Sequence, residues 1–178
     1  TREHVLENFR RLSEAADFDM DKAVLSDQTH TTNVRRVTEE DAGKGLLIKP
    51  DYESIDGLVT DVPGITLVTF YADCVPLYIA DPRKKAIGLS HSGWRGTVGR
   101  MGEITLKRME ELYGTDPQDV ICCVGPSICR DCFEVGPEVA EAFREGFPEE
   151  YHRDIILGPV FNEAGEEKFH IDLWRANE

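Results

Sequence analysis

No apolar run in the chain approaches the roughly 18 residues that a membrane-spanning helix needs, so no helical membrane span is expected. Positive charge is scarce as well. Twenty Lys and Arg stand against 34 Asp and Glu, a formal net charge of −14. Nucleic acid backbones and anionic membrane faces are held by clustered Lys and Arg, so neither is expected as a partner. A small anionic substrate would need a local basic spot against the overall field. Thr1-Arg2-Glu3-His4 lacks the basic-then-apolar leader of a secretory signal. A phosphate loop of the Walker or dinucleotide type is missing, as are repeats, low-complexity tracts and linkers. The five cysteines, Cys74, Cys122, Cys123, Cys129 and Cys132, are an odd number with no leader before them. That pattern argues for a reducing compartment and free thiols, hence a cytoplasmic location.

What remains is ordinary globular material. The 178 residues, 40% hydrophobic and 30% charged, suit one well-cored domain. Val5, Phe9, Leu12 and Ala16 form an apolar stripe and predict an amphipathic helix. Ala23 to Leu25 and Asn33 to Val37 read as short strands, and residues 38–47 as an acidic loop. Beyond the Asp56-Gly57 turn signal, Ile65 to Tyr71, Val75 to Ile79 and Lys85 to Leu89 are strand-like. Val98, Met101, Thr105, Met109 and Leu112 predict one helix, and Val120 to Val124 a buried strand. Gly136-Pro137 opens a further helix with proline in its first turn; Phe169 to Leu173 is a strand running into a helix at Trp174. The expected fold class is α+β, a single domain over 1–178 with mixed β-sheets flanked by helices.

Two residues stand out by position. Cys74 lies in Tyr-Ala-Asp-Cys-Val-Pro, between two strand runs, and His91 closes a strand before Gly93-Trp94-Arg95-Gly96. Their spacing of 17 residues fits one strand out and one back, which brings both to one sheet edge. His30, in Gln-Thr-His-Thr, is also expected at the end of a strand. Taken singly, a histidine at a strand end is more often a structural hydrogen-bonding residue, and a buried cysteine a small hydrophobe. Taken together, they fit either a thiolate–imidazole nucleophile pair or a metal. Two His and one Cys leave a fourth position open, the pattern of a catalytic zinc, whose bound water has a pKa near about 7. The same set is equatorial in blue copper sites with an axial Met, but Met101 and Met109 fall in the helix pattern and read as core. Arg95 is a candidate phosphate ligand through its fork of donors, with a surface salt bridge as the alternative. Asp73 is a candidate for orienting a ligand or substrate group.

Cys129-x-x-Cys132 resembles half a structural zinc site, yet no second CxxC or CxxH completes it, and the His-x-Glu of zinc nucleobase deaminases is absent. Cys122 and Cys123, adjacent in a strand, point to opposite faces and cannot share one ligand sphere with that pair. All four are expected to be reduced and structural. The acidic runs, Glu39-Glu40-Asp41 among them, read as solvated faces.

The chain resembles the family long labelled multicopper polyphenol oxidase or laccase-domain and now described as purine nucleoside phosphorylase. The stretches that carry the resemblance are Gln28-Thr29-His30, Asp56 to Asp61, Ala72 to Pro76, His91 to Gly96, Gly125 to Ile128, Cys132 to Gly136 and Asp172 to Asn177, in that order. The resemblance implies zinc on His30, Cys74 and His91 as catalytic site. It implies phosphorolysis of adenosine, inosine and guanosine, with adenosine deamination and methylthioadenosine cleavage as companion activities. Purine nucleosides and phosphate are then the partners, with a homodimer as the candidate self-assembly. The implied fold is related to toxin-type cysteine hydrolases, which keeps a metal-free Cys74–His91 hydrolase or amidase as the alternative. A zinc- or purine-binding regulatory protein is the alternative of another class. Family members extend further at both ends, with a preceding β segment and a following Cys- and Arg-bearing segment. A laccase-type copper cluster would need many more histidines than the five present, so zinc is expected over copper.

Overall fold

The computed structural model describes residues 1–178. In chain order the elements are α1 (Arg2–Ala16), β1 (Ala23–Leu25), β2 (Val34–Arg36), β3 (Gly57–Thr60), β4 (Thr66–Val68), β5 (Val75–Asp81) and β6 (Ala86–Ser92). There follow α2 (Trp94–Val98), α3 (Met101–Tyr113), β7 (Ile121–Val124), β8 (Glu134–Val135), α4 (Pro137–Gly146), α5 (Glu149–Ile155), β9 (Ile156–Phe161), β10 (Glu167–Ile171) and α6 (Leu173–Ala176). This is the expected α+β domain with mixed sheets.

Five strands in the order β2-β3-β6-β5-β7 make the central sheet, with β2–β3 parallel and the remaining pairs antiparallel. Alternation in β5 sends Val75, Leu77 and Ile79 inward. Val75 and Leu77 meet Val139, Phe143 and Phe169 in the largest buried cluster, which ties the central sheet to α4 and the β8-β10-β9 sheet. α3 lies flat on β3 and β6 because Gly88 leaves room: a Cβ there would stand 3.0 Å from Met109 Sδ and 3.1 Å from Thr105 Cγ2. Met101 and Met109 are wholly buried, as their helix spacing predicts. On the opposite side Leu58 packs with Val24, Val37, Ile65 and Leu67 beneath the parallel β1–β4 pair.

Four expectations need correction. The stretch from Val98 to Leu112 is two helices, because Gly99-Arg100 breaks it and Arg100 turns left-handed at φ 62°. β7 is an exposed edge strand rather than a buried one, with Ile121 65% accessible and Cys122 and Cys123 exposed. In α1 the inward face carries Leu6, Phe9 and Ser13; Val5 and Leu12 point outward. Asp41 is not on a solvated face.

Asp41 is buried, and its carboxylate accepts from Arg35 Nη2 at 2.8 Å, Lys44 Nζ at 2.8 Å and Thr38 N–H at 2.9 Å. Burial pushes its pKa up, but the Lys44 and Arg35 bonds and the Thr38 N–H outweigh that and hold the carboxyl well below the usual range. A depressed folded-state pKa stabilises the fold above the ordinary aspartate value, near about 3.9, and loses its effect as pH falls below it. Asp41→Asn should therefore cost about 1–3 kcal/mol at neutral pH. That gap should shrink as urea unfolding is repeated at successively lower pH beneath about 4; a gap independent of pH would refute the ionic origin.

Candidate metal centre

The β5–β6 hairpin does what the Cys74–His91 spacing predicts. Its register pairs Val75 with Ser92 and Pro76 with His91, so Cys74, one residue before β5, falls opposite Gly93, one residue after β6. Both side chains reach the same sheet end, and His30 meets them from the chain that follows β1. The ligand atoms of His30, Cys74 and His91 all lie within 4.8 Å of one another. Cys74 Sγ is 4.0 Å from His30 Nε2, and the two imidazole rings stand edge to face with centroids 5.0 Å apart. Gly93 makes this approach feasible, because a Cβ there would stand 2.9 Å from His30 Cδ2 and 3.0 Å from Cys74 Sγ.

His30 does not end a strand as expected. It lies in a bend five residues beyond β1, in the left-handed region at φ 64°, where non-glycine residues are uncommon. Asp56, fully buried just before β3, holds it there. Asp56 Oδ1 accepts from His30 N–H at 3.0 Å and His91 Nδ1–H at 2.8 Å. Its Oδ2 accepts from Thr29 N–H at 3.1 Å, and from Thr31 N–H and Thr31 Oγ1–H, each at 2.8 Å. Burial raises the Asp56 pKa, but the bonds from Thr31, His91 and Thr29 overcome it and keep the carboxyl below its usual range. With Nδ1–H committed to Asp56, His91 presents the Nε2 lone pair to the cluster. A carboxylate behind an imidazole is the common outer partner of a metal-binding histidine.

The surroundings favour a cation. Burial pushes the Cys74 thiol up, and the charges of Asp73 and Asp56 push it further in the same direction. Tyr71 tilts against the His91 ring at 5.6 Å, its hydroxyl donating to Ser90 O at 3.1 Å. His91 is buried, Cys74 half-buried and His30 exposed, so the cluster opens to solvent on the His30 side. Two imidazole nitrogens and a sulfur match the donors of an open zinc site. A tetrahedral zinc would set such atoms about 3.3–3.6 Å apart, somewhat closer than the 4.0 Å between Cys74 Sγ and His30 Nε2 and the 4.8 Å outer limit of the cluster. These residues could hold one metal ion.

The other candidates make no bond to the cluster. Asp73 is exposed and contributes its carbonyl, which accepts from Ile128 N–H at 3.0 Å; its carboxylate bonds to none of the three ligands. The carboxylate that bonds a ligand is Asp56, whose Asp-Gly context reads locally as a turn. Arg95 is exposed in the first turn of α2, its guanidinium 4.2 Å above the Trp94 ring, and bonds to none of the three. His152 donates to Phe147 O, His170 to Arg130 O, and His4 is exposed on α1.

The family described as multi-copper polyphenol oxidoreductase laccase matches residues 1–178. The chain belongs to that family. It is 36% identical over 174 residues to "Purine nucleoside phosphorylase YlmD" of Bacillus subtilis (strain 168), covering 97% of this chain and 60% of that one. It is also 36% identical over 165 residues to "Adenosine deaminase RL5" of an unknown prokaryotic organism, covering 89% and 58%. Among solved structures, the Bacillus licheniformis hypothetical protein YfiH superposes with a TM-score of 0.88 at 28% identity, over 99% of this chain and 64% of that one. The chain thus spans about three fifths of the length of these relatives. Against the family's multi-copper label, only two of the five histidines reach the cluster.

If Asp56 sets the His91 imidazole, Asp56→Asn should weaken metal retention about 10–100-fold in competition with a chelator. Unfolding free energy should fall by about 1–3 kcal/mol as an amide N–H₂ meets backbone donors. A folded variant with unaltered metal affinity would show that the imidazole holds its orientation without the carboxylate.

Proposed function

We propose that the chain is the zinc-binding core of a purine nucleoside phosphorylase that cleaves adenosine, inosine and guanosine with phosphate to the free base and ribose 1-phosphate. Adenosine deamination and methylthioadenosine phosphorolysis are the companion activities. The observation that carries this reading is the cluster of His30, Cys74 and His91, open on one side and backed by Asp56. The names of the relatives, a phosphorylase and a deaminase, support one site serving both reactions.

His30, Cys74 and His91 would hold zinc, which supplies when bound a positive charge and Lewis acidity towards an oxygen ligand. Asp56 keeps the His91 Nδ1 proton and leaves Nε2 free as a donor atom. Cleavage of the N-glycosidic bond builds positive charge on the sugar, and an anionic nucleophile held close stabilises it. Arg95, on the helix that follows Gly93, offers its fork of donors to that phosphate. Asp73, beside Cys74, faces solvent where a nucleoside hydroxyl would arrive.

A metal-free thiol hydrolase, in keeping with a fold related to toxin-type cysteine hydrolases, is the rival reading. It is favoured by the 4.0 Å approach of Cys74 Sγ to His30 Nε2, which would let an imidazole take the thiol proton. Free thiols throughout agree with a cytoplasmic site of action.

Metal analysis and product analysis decide between these. Cys74→Ala should lose both zinc and turnover while still folding cooperatively, with the unfolding midpoint of metal-free wild type, since an open catalytic site does not hold a fold together as a zinc finger does. Inosine should give hypoxanthine and ribose 1-phosphate only when phosphate is added. Free ribose at an unchanged rate without phosphate would overturn the phosphorylase, and full activity in metal-free protein would install the thiol hydrolase.

A further inference from the structure

Cys129 and Cys132 stand at the two ends of one turn that the proposed reaction does not use. The chain leaves β7 alongside the start of β5, where Gly125 N–H donates to Pro76 O at 2.8 Å and Ile128 N–H to Asp73 O at 3.0 Å. It then closes into a 3₁₀ turn over Arg130–Cys132, with Cys132 N–H and Phe133 N–H both donating to Cys129 O at 3.1 Å. The far side is pinned to β10: His170 Nδ1–H donates to Arg130 O at 3.2 Å and Ile171 N–H to Phe133 O at 3.2 Å. The turn is therefore held from both directions while both thiols are free and exposed.

Turns of this span bring their end Cα atoms within about 7 Å, and a disulfide bridges Cα atoms about 4.4–6.8 Å apart. The neighbouring Cys132 thiol holds Cys129 below the usual thiol range, and the same proximity pushes Cys132 up. In such a pair the more readily ionised sulfur attacks and the other resolves. A metal does not account for the pair. His170 commits its Nδ1 to Arg130, and the chain's one three-ligand cluster is that of His30, Cys74 and His91. Nor do Cys122 and Cys123 compete, since neighbours along β7 point to opposite faces.

We propose that Cys129 and Cys132 form a thiol–disulfide exchange site for low-molecular-weight disulfides, with Cys129 attacking and Cys132 resolving. The Cys129 thiolate attacks one sulfur of a disulfide such as oxidised glutathione. The reagent's S–S bond breaks, one glutathione leaves as thiolate, and a mixed disulfide forms on Cys129. Cys132 gives its proton to solvent and attacks the Cys129 sulfur, closing the intramolecular bond and expelling the second glutathione. The protein pair loses two electrons, and the reagent gains them as two thiols.

The sequence offers a direct readout, because trypsin cleaves after Arg108, Arg130 and Arg144 and places the two cysteines on separate peptides, 109–130 and 131–144. Metal-loaded protein carrying Cys122→Ser and Cys123→Ser would be equilibrated at rising ratios of oxidised to reduced glutathione, then alkylated and digested. The two peptides should become linked, separate again on reduction, and come from protein that runs as a monomer on a non-reducing gel. Added Cys132→Ser should trap glutathione on Cys129; added Cys129→Ser should leave Cys132 modified roughly tenfold more slowly. Peptides that stay separate and alkylated at every ratio, a disulfide-linked dimer, or equal rates in the two single variants would each overturn the proposal.

Discussion

One buried carboxylate determines whether the cluster exists. Asp56 bonds both the loop of His30 and the imidazole of His91, and it accepts five hydrogen bonds to do so. A left-handed non-glycine residue costs on the order of 1 kcal/mol or more, and three consecutive N–H groups converging on one carboxylate are what hold His30 in that state. The same residue's carbonyl accepts from His91 N–H at 2.7 Å. Main chain and side chain of Asp56 thus fix one ligand to the other before Cys74 enters the geometry.

Cys74 arrives by a different route, through sheet register. An antiparallel pair sets residues against each other at fixed positions, and a one-residue slip would turn His91 to the opposite face. The burial of Val75, Leu77 and Ile79 against α3 and α4 excludes that slip. The hydrophobic core therefore does not merely stabilise the domain; it places a sulfur. Gly93 then sits where the two routes meet, and its missing side chain is the space that His30 and Cys74 share.

This division explains which parts were legible in the sequence. The Cys74–His91 relation is local, two strands and a turn, so spacing alone predicts it. His30 is recognisable by residue type and by resemblance, yet its backbone geometry depends on a carboxylate 26 residues away. Asp56 carried no local sign of burial, since Asp-Gly before a strand reads as a turn; only the five hydrogen bonds it accepts make it a core residue. Edge against centre was equally hidden. Val120 to Val124 has the composition of an inner strand, and sheet order, a non-local property, put β7 outside. In α1 the periodicity predicted the helix but not its orientation, because Val5 and Leu6 are equally apolar and the partner surface of Ala23, Leu25 and Leu46 selected the face with Leu6 and Phe9.

The charge balance joins these observations to chemistry. Asp56 and Asp73 place negative potential on Cys74, within a chain of net charge −14, and that field acts in opposite senses on the partners of the proposed reaction. It draws a divalent cation to the three donors and disfavours a free thiolate or an incoming phosphate. A cation at the cluster would reverse the local sign, so metal and anion binding there would favour each other. Arg95, exposed and stacked on Trp94, is bonded to none of these groups and offsets neither carboxylate directly. The same acidic composition that argues against nucleic acid partners would thus couple any anion at this cluster to a bound cation.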